Sequence, residues 1–295
     1  EFLAYTLVTA VVLRVIVVLF MPLRLLTDFA AYDELAMSLA TQGEYAFSSL
    51  PTAYFPPGWP FFLSLIYRLF GHHPQLGIIA NIGFGAATVA LTWVLVRRIW
   101  GELPARWGAV IVAVIPCELL FTNILGSEGL FTALLLLALV LLLPSQESGD
   151  LSFTRTLSGG VVLGLATLTR SLGFFLPIVL IVVYIIRFGA SRRTASRWLS
   201  CVVGIMIVVV PWIMRNEALL GRATISTNSG VNLYIGNNPN AGVGFNMPDS
   251  NVVYLGSASD EAHDDSAGFA NGMRYIRKRP MAFLVRGVLK STFML

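Results

Sequence analysis

Seven stretches of the chain are apolar for long enough to be read as transmembrane helices: 3–21, 76–99, 105–121, 129–143, 156–170, 174–187 and 196–214. A hydrocarbon core about 30 Å thick asks for roughly 20 apolar residues at about 1.5 Å each, so the shorter stretches have soft ends. The run 59–70 is apolar and aromatic but only about a dozen residues long, the size of a helix lying along the interface. Counting it as a span would invert every later loop, and arginine placement decides against that. With 59–70 kept out of the count, Arg97, Arg98, Arg106, Arg155, Arg187, Arg192, Arg193 and Arg197 fall on one side. An excess of Lys and Arg marks the cytoplasmic side, which the amino terminus then shares.

Two long polar stretches face outward in this arrangement. The expected organisation is a transmembrane core over 1–214, whose first outer loop, 22–75, carries the active site, and an extracytoplasmic loop over 215–280. Residues 281–295 are an interfacial helix or the start of a further span. Arg274, Arg277, Lys278 and Arg279 close the long outer loop, where a basic cluster reads as an anchor to lipid headgroups. The chain opens on Glu1 without an initiator methionine and ends without a polar tail, so a fragment of a longer, multi-pass membrane protein is expected.

Composition agrees with this picture. The 295 residues are 56% hydrophobic and 12% charged, with a mean hydropathy of +0.75, whereas soluble domains run at about 45–50% apolar and about 25% charged. A soluble enzyme is excluded, and 19 Phe, 9 Tyr and 6 Trp exclude a disordered chain. Cys117 and Cys201 both lie in apolar runs and supply neither a disulfide framework nor a zinc spacing. The net charge of +4 is almost all arginine, Lys278 and Lys290 being the only lysines. In a membrane protein such a surplus orients loops, and no nucleic-acid partner is expected.

The candidate chemistry gathers on the outward face. Leu35, Ala36 and Leu39 recur at helical spacing, which predicts a short helix over 31–40 with Asp28 as its cap. Asp28 is then a cap, a solvated carboxylate or a base. Asp33 and Glu34 read as the wet face of that helix or as further acids, and Pro56 and Pro57 as a stiff lead into the interfacial helix. Glu128 begins one span, Arg170 ends another, and Arg215 with Asn216 ends a third. Ionisable groups at membrane depth are candidate functional sites, although arginines also snorkel to headgroups. Alternation at Ile225, Val231, Leu233 and Ile235 around Asn228-Ser229-Gly230 predicts a small hairpin, with Asn237 and Asn238 in turn positions.

Asp28 with Tyr32 four residues on, the Tyr54-Phe55-Pro56-Pro57 stretch, Tyr67-Arg68-Leu69-Phe70-Gly71, Arg97-Arg98, Ser127-Glu128, Thr169-Arg170, Pro211-Trp212, Arg215-Asn216 and Gly236-Asn237-Asn238-Pro239 follow one another in this order. In that order they resemble the GT-C superfamily of integral membrane glycosyltransferases, in the bacterial branch similar to protein O-mannosyltransferases and the lipid A aminoarabinose transferase. The resemblance implies an all-α polytopic bundle with interfacial helices and a small extracytoplasmic segment, in the bacterial inner membrane. It also implies a polyprenyl-phosphate sugar donor, a hydroxyl acceptor, contact with membrane lipid, and a reacting carboxylate that corresponds to Asp28, with Asp33, Glu34 and Glu128 as further catalytic candidates. Arg170 and Arg215 would hold the donor phosphate, and Tyr32, Tyr54, Asn216, Asn237 and Asn238 would line the cavity. At Pro56 and Pro57 the aminoarabinose transferase has an acidic and a basic residue, so no metal ligand or phosphate contact is carried over to them. No metal site is assigned, and a divalent cation is left open as cofactor.

The chemistry is coherent on its own terms. A base takes the acceptor hydroxyl proton, a fixed guanidinium stabilises the phosphate as it gains charge, and a single displacement inverts the anomeric carbon. No P-loop or dinucleotide fingerprint is present, as suits a donor without a nucleotide. A lipid or glycolipid transporter is the alternative, and a lipid-holding assembly subunit a weaker one. Transporters commonly carry inverted repeats and broken spans, and the spans on either side of Leu143 show no matching Gly or Pro interruptions.

Overall fold

The computed structural model describes residues 1–21, 23, 25, 27–143, 152–189, 191–243 and 260–293, and among these the chain is an all-α protein with one two-stranded ribbon. The helices are α1 (Phe2–Phe20), α2 (Asp28–Thr41), α3 (Gly58–Phe70), α4 (Pro74–Trp100), α5 (Glu102–Val114), α6 (Pro116–Thr122), α7 (Glu128–Leu142), α8 (Phe153–Thr169), α9 (Leu176–Phe188), α10 (Arg192–Leu220), α11 (Ser229–Gly236), α12 (Glu261–Lys278) and α13 (Pro280–Phe293). A 3-10 turn at Ser171–Phe175 leads into α9. The ribbon pairs β1 (Ala46–Phe47) antiparallel with β2 (Leu50–Pro51), turning through Ser48 and Ser49 at φ 47° and 69°.

Each expected span has its helix. By length and hydropathy alone, Phe2–Phe20, Pro74–Trp100 and Thr194–Leu220 can cross a membrane, and the pair α5 and α6 is a fourth if counted as one bent span. The expected span 105–121 is not continuous: it bends by 50° between α5 and α6. Pro116 opens α6 and holds Ile115 extended, as a proline does to the residue before it. The run 59–70 forms α3, whose 13 residues reach only about 20 Å. Trp59, Leu63 and Tyr67 are buried on one of its faces, while Phe61, Leu65 and Leu69 are exposed on the other, so both faces carry apolar side chains.

The chain divides into two compact units: Glu1–Tyr45 with Pro56–Trp212, and Ala46–Phe55 with Ile213–Leu295. In the first, α4 packs on α1, α5 and α7, α7 packs on α8, and α2 packs on α3. Trp59, Leu63, Tyr67, Ile78 and Leu125 form the core beneath α2, with Trp59 stacked on Phe62 at 5.7 Å. A second core joins Ala138 and Leu142 to Leu163, Tyr184, Trp198 and Cys201.

Three local expectations are corrected. Asp28 is not the cap of its helix: Thr27 is the cap residue, and Asp28 is the first helical residue. The span expected over 196–214 does not end at Arg215 and Asn216, because α10 runs on to Leu220 with Pro211 inside it. The hairpin expected over 225–235 is helix α11, which packs on α12 in the second unit. Asn228-Ser229-Gly230 suits a helix start as well as a turn, and packing chooses between them. A Cβ on Gly230 would lie 1.9 Å from the Asp265 carbonyl oxygen, and one on Gly268 would lie 2.7 Å from Gly230 backbone. The two helices therefore meet backbone to backbone, a closeness that only glycine allows.

Candidate active site

Three helix ends in the first unit bring acids and a base together. Asp28 opens α2 and Glu128 opens α7, where the positive end of the helix dipole favours a carboxylate. Arg170 follows the last residue of α8, where the dipole favours a cation, and its extended backbone breaks the helix there. The Arg170 Nη1 donates to Glu128 Oε1 at 2.5 Å and to Ser127 Oγ at 3.2 Å. Tyr32 lies one turn after Asp28, on the same face of α2, and shares a side-chain hydrogen bond with Ser127. Thr27, at φ 50°, holds a β-branched residue in the left-handed region. Such a conformation costs about 1–3 kcal/mol and is typical of functional sites.

The cluster leaves bonding capacity unused. Among the described residues, Glu128 Oε2 is buried and has no hydrogen-bond partner, and the Arg170 bonds above run through a single nitrogen, Nη1. A guanidinium offers five donors in a fixed fork, so the remaining edge of Arg170 matches a phosphate. Lost hydration raises the Asp28 carboxyl above its ordinary pKa, the charge of Glu128 raises it further, and Arg170 offsets part of this. Burial pushes the Tyr32 phenol up to about 12, with the Ser127 hydrogen bond acting against the shift. At neutral pH Tyr32 is a neutral hydrogen-bonding group and Asp28 a carboxylate more basic than usual. That combination suits proton abstraction from a hydroxyl.

Asp33 and Glu34 stand differently. The Tyr67 hydroxyl donates to Asp33 Oδ1 at 2.6 Å, and His72 Nε2 lies 2.9 Å from Asp33 Oδ2. Burial first, then the bond to Asp33, raises the Tyr67 phenol far above its usual pKa. Arg68 Nη2 donates to the Leu39 carbonyl at 2.6 Å, so Asp33 sits in a clamp between α2 and the end of α3. Glu34 is exposed.

The remaining candidates, Tyr54, Arg215, Asn216, Asn237 and Asn238, belong to the second unit. Arg215 Nη1 donates to the Thr52 carbonyl at 2.6 Å and to Asn216 Oδ1 at 3.0 Å. Asn216 is fully buried and donates to the Thr224 carbonyl. Tyr54 packs edge-on against Phe55 at 4.9 Å. Asn237 donates to the Leu233 carbonyl, and buried Asn238 donates to the Tyr234 and Ile235 carbonyls while accepting from the Asn240 N–H. Both asparagines thereby close the end of α11.

Sequence reasoning missed several ionisable residues. Arg14 in α1 is fully buried, and Glu118 lies in the first turn of α6. In the second unit Glu261 accepts from Thr52 Oγ1 at 2.5 Å and from the Ala53 N–H at 2.7 Å. Asp265 accepts from the Gly230 N–H and pairs with Arg222 at 2.9 Å. Only Arg14 had a signal, as the one charged residue inside the first apolar run. Among the described residues no three His, Cys, Asp or Glu side chains converge as metal ligands would.

Residues 55–214 match the family model described as dolichyl-phosphate-mannose-protein mannosyltransferase. The fold is also similar to the crystal structure of ArnT from Cupriavidus metallidurans bound to undecaprenyl phosphate, with a TM-score of 0.59 and 20% sequence identity. That likeness covers 74% of this chain and 41% of ArnT, so the chain spans about two-fifths of that protein. No curated protein matches the chain.

Proposed function

This chain belongs to the dolichyl-phosphate-mannose-protein mannosyltransferase family, within the GT-C membrane glycosyltransferases, and from that premise we propose that it moves a sugar from a polyprenyl-phosphate donor to a hydroxyl acceptor. The observation that carries this reading is the Asp28, Glu128 and Arg170 cluster, in which a basic-shifted carboxylate lies within electrostatic range of a guanidinium with donors to spare. Arg170 holds the donor phosphate through its remaining edge and stabilises the charge that develops as the glycosidic bond breaks. Asp28 takes the acceptor proton as the hydroxyl attacks, giving inversion, and Tyr32 orients one of the two partners. Glu128 keeps Arg170 in place. Arg215 is the second candidate for the phosphate, while Asp33 and Glu34 stand behind Asp28 as bases. Asn216, Asn237 and Asn238 are bonded within the second unit, and the acceptor is a lipid, protein or polysaccharide hydroxyl.

The reaction is placed at the outer face of a bacterial inner membrane, with the amino terminus cytoplasmic, on the strength of arginine parity. Exposed Glu44 and Arg192 serve as labelling sites once replaced by cysteine in a C117S background. An impermeant maleimide added from outside should reach position 44 and miss position 192. Labelling of both would make α3 a span and reverse the later loops.

The chemistry is tested by the polyprenyl-linked sugars of a strain lacking the full-length protein. A polyprenyl-phosphate sugar should accumulate, and its mass identifies the sugar. An unchanged pool would remove the donor from this account.

A further inference from the structure

The Glu128 and Arg170 pair joins two segments 42 residues apart, and each of them meets the start of α3. A Cβ on Gly58, the first residue of α3, would lie 2.6 Å from Thr169 Oγ1 and 2.8 Å from both the Thr169 Cα and its nitrogen. The last two are backbone atoms, so no change of rotamer makes room, and only glycine fits so close an approach. Thr169 is buried, and Arg170 is the next residue.

Trp59 holds the other segment. It is 0% exposed, and its Nε1 donates at 3.0 Å to the carbonyl of Leu125, shortly before Ser127 and Glu128. Its ring stacks on Phe62 at 5.7 Å and meets Phe84 edge-on at 6.5 Å. The same segment is fastened at the two preceding residues: Asn123 Nδ2 donates to the Met21 carbonyl at 2.9 Å, and Asn81 Nδ2 to the Ile124 carbonyl at 2.8 Å.

The start of α3 is stiff enough to transmit these contacts. Pro56, Pro57 and Pro60 fix φ at three positions around Gly58 and Trp59, and the Pro57 carbonyl accepts from the Phe61 N–H at 2.8 Å. On the other side α8 ends at Thr169, and the Arg170 backbone is extended. A group forced in at position 58 therefore displaces Thr169 and Arg170 rather than α3.

We propose that Gly58 and Trp59 are positioning residues: Gly58 seats Thr169 and so Arg170, Trp59 seats Leu125 and so Ser127 and Glu128, and the start of α3 thereby holds the two halves of the pair together. The value of this placement for donor binding and turnover rests on the reading of that cluster as the reactive centre, while the seating itself does not.

The test uses the full-length protein in nanodiscs as Gly58→Ala, Trp59→Phe and, for control, Gly83→Ala in α4, where a Cβ would meet open space. The seating is read without turnover from Glu128→Cys with Arg170→Cys in a Cys117→Ser, Cys201→Ala background, the native side chains at 128 and 170 being 34% and 38% exposed. The rate at which a short bifunctional thiosulfonate bridges the two positions should change severalfold on adding Gly58→Ala. It should also change with Trp59→Phe, which keeps the stacked ring but strands the Leu125 carbonyl, and not with Gly83→Ala. With Glu128 and Arg170 in place, turnover of the polyprenyl-phosphate sugar should fall about 10- to 100-fold in Gly58→Ala and Trp59→Phe, as a misplacement near 1 Å costs. Affinity for a polyprenyl-phosphate analogue should fall severalfold in Gly58→Ala. It should fall no further when Gly58→Ala is added to Arg170→Ala, since changes that act through one group are not additive.

Unchanged bridging in Gly58→Ala would overturn the seating of Arg170, as would a loss of analogue affinity that simply adds to that of Arg170→Ala. Unchanged bridging in Trp59→Phe would overturn the seating of Glu128, and an equal change in Gly83→Ala would remove the start of α3 from the account. If Gly58→Ala does not fold, bridging in Trp59→Phe decides whether the start of α3 holds the pair. Changed bridging with unchanged turnover would overturn the value of the seating for the reaction. A wild-type protein without sugar transfer, or an analogue affinity indifferent to Arg170→Ala, would count against the functional reading alone, and bridging would still decide the seating.

Discussion

The two units each gather acids, arginines and asparagines, yet they use them in opposite ways. In the second unit the buried acids are spent on the fold. Both oxygens of Glu261 accept hydrogen bonds from the 52–53 stretch, and both oxygens of Asp265 are taken by Gly230 and Arg222. Arg286 and Lys290 donate to the Asn238 and Gly236 carbonyls at the end of α11. In the first unit the Glu128 and Arg170 pair leaves a buried carboxylate oxygen without a partner among the described residues, and Asp28 is held more basic than usual. Buried polar groups are normally satisfied, so unspent capacity points to a missing partner. The residue types alone do not separate a scaffold from a site; the state of their hydrogen bonds does.

The largest effect that would sharpen this contrast is expected at Asp28. Asp28→Asn keeps the size but cannot take a proton, so turnover should fall by about 10²–10⁴, the usual worth of a general base. Stability should move the other way. The folded-state pKa of Asp28 is raised, so its proton stabilises the fold at low pH, and that contribution is lost as pH rises through the raised value. Neutral asparagine should therefore raise the melting temperature of the purified protein at pH 7. A loss of stability with specific activity retained would make Asp28 a structural residue and pass its role to Asp33 or Glu34.

Arg170 comes next. Removing charge-assisted hydrogen bonds worth about 1.5–3 kcal/mol should weaken binding of a polyprenyl-phosphate analogue by roughly 10- to 100-fold in Arg170→Ala. Arg170→Lys should recover only part of this, because an ammonium cannot form the bidentate pair. Unchanged affinity by calorimetry would move the phosphate to Arg215.

A smaller effect is expected from the second unit. Glu261→Ala strands the Thr52 hydroxyl and the Ala53 N–H, at a cost of about 1–3 kcal/mol that urea unfolding would read, while donor affinity stays within twofold. A large loss of donor affinity at full stability would erase the contrast between the units. The smallest effect is in the pH profile. The acid limb of kcat/KM, which reports the free enzyme, should fall at a pH above the ordinary aspartate range in the parent and lose that inflection in Asp28→Asn.

Much of the fold was legible because burying apolar surface is a local demand on sequence. The apolar runs at 76–99, 129–143 and 59–70 became α4, α7 and α3 within a few residues of the expected ends. What failed depended on packing between distant segments. Val231, Leu233 and Ile235 alternate as a strand would, but the approach of Gly230 to Gly268 makes a helix of them. The ribbon at 46–51 has only two residues in each strand, too few for any period to show. At the site, Asp28, Glu128 and Arg170 were each legible as an ionisable group near a helix end. Their meeting was not, because Glu128 and Arg170 lie 42 residues apart and nothing local encodes their contact. Arg14 was visible as a charge inside a span.

The most direct test of the central claim is photocrosslinking. A polyprenyl phosphate bearing a diazirine beside the phosphate, bound to the full-length protein in nanodiscs and mapped by mass spectrometry, should label peptides containing Ser127 to Glu128 and Thr169 to Arg170, with the signal reduced in Arg170→Ala. Labelling confined to 213–243, and unchanged by Arg170→Ala, would contradict the account and move the reactive centre to the second unit.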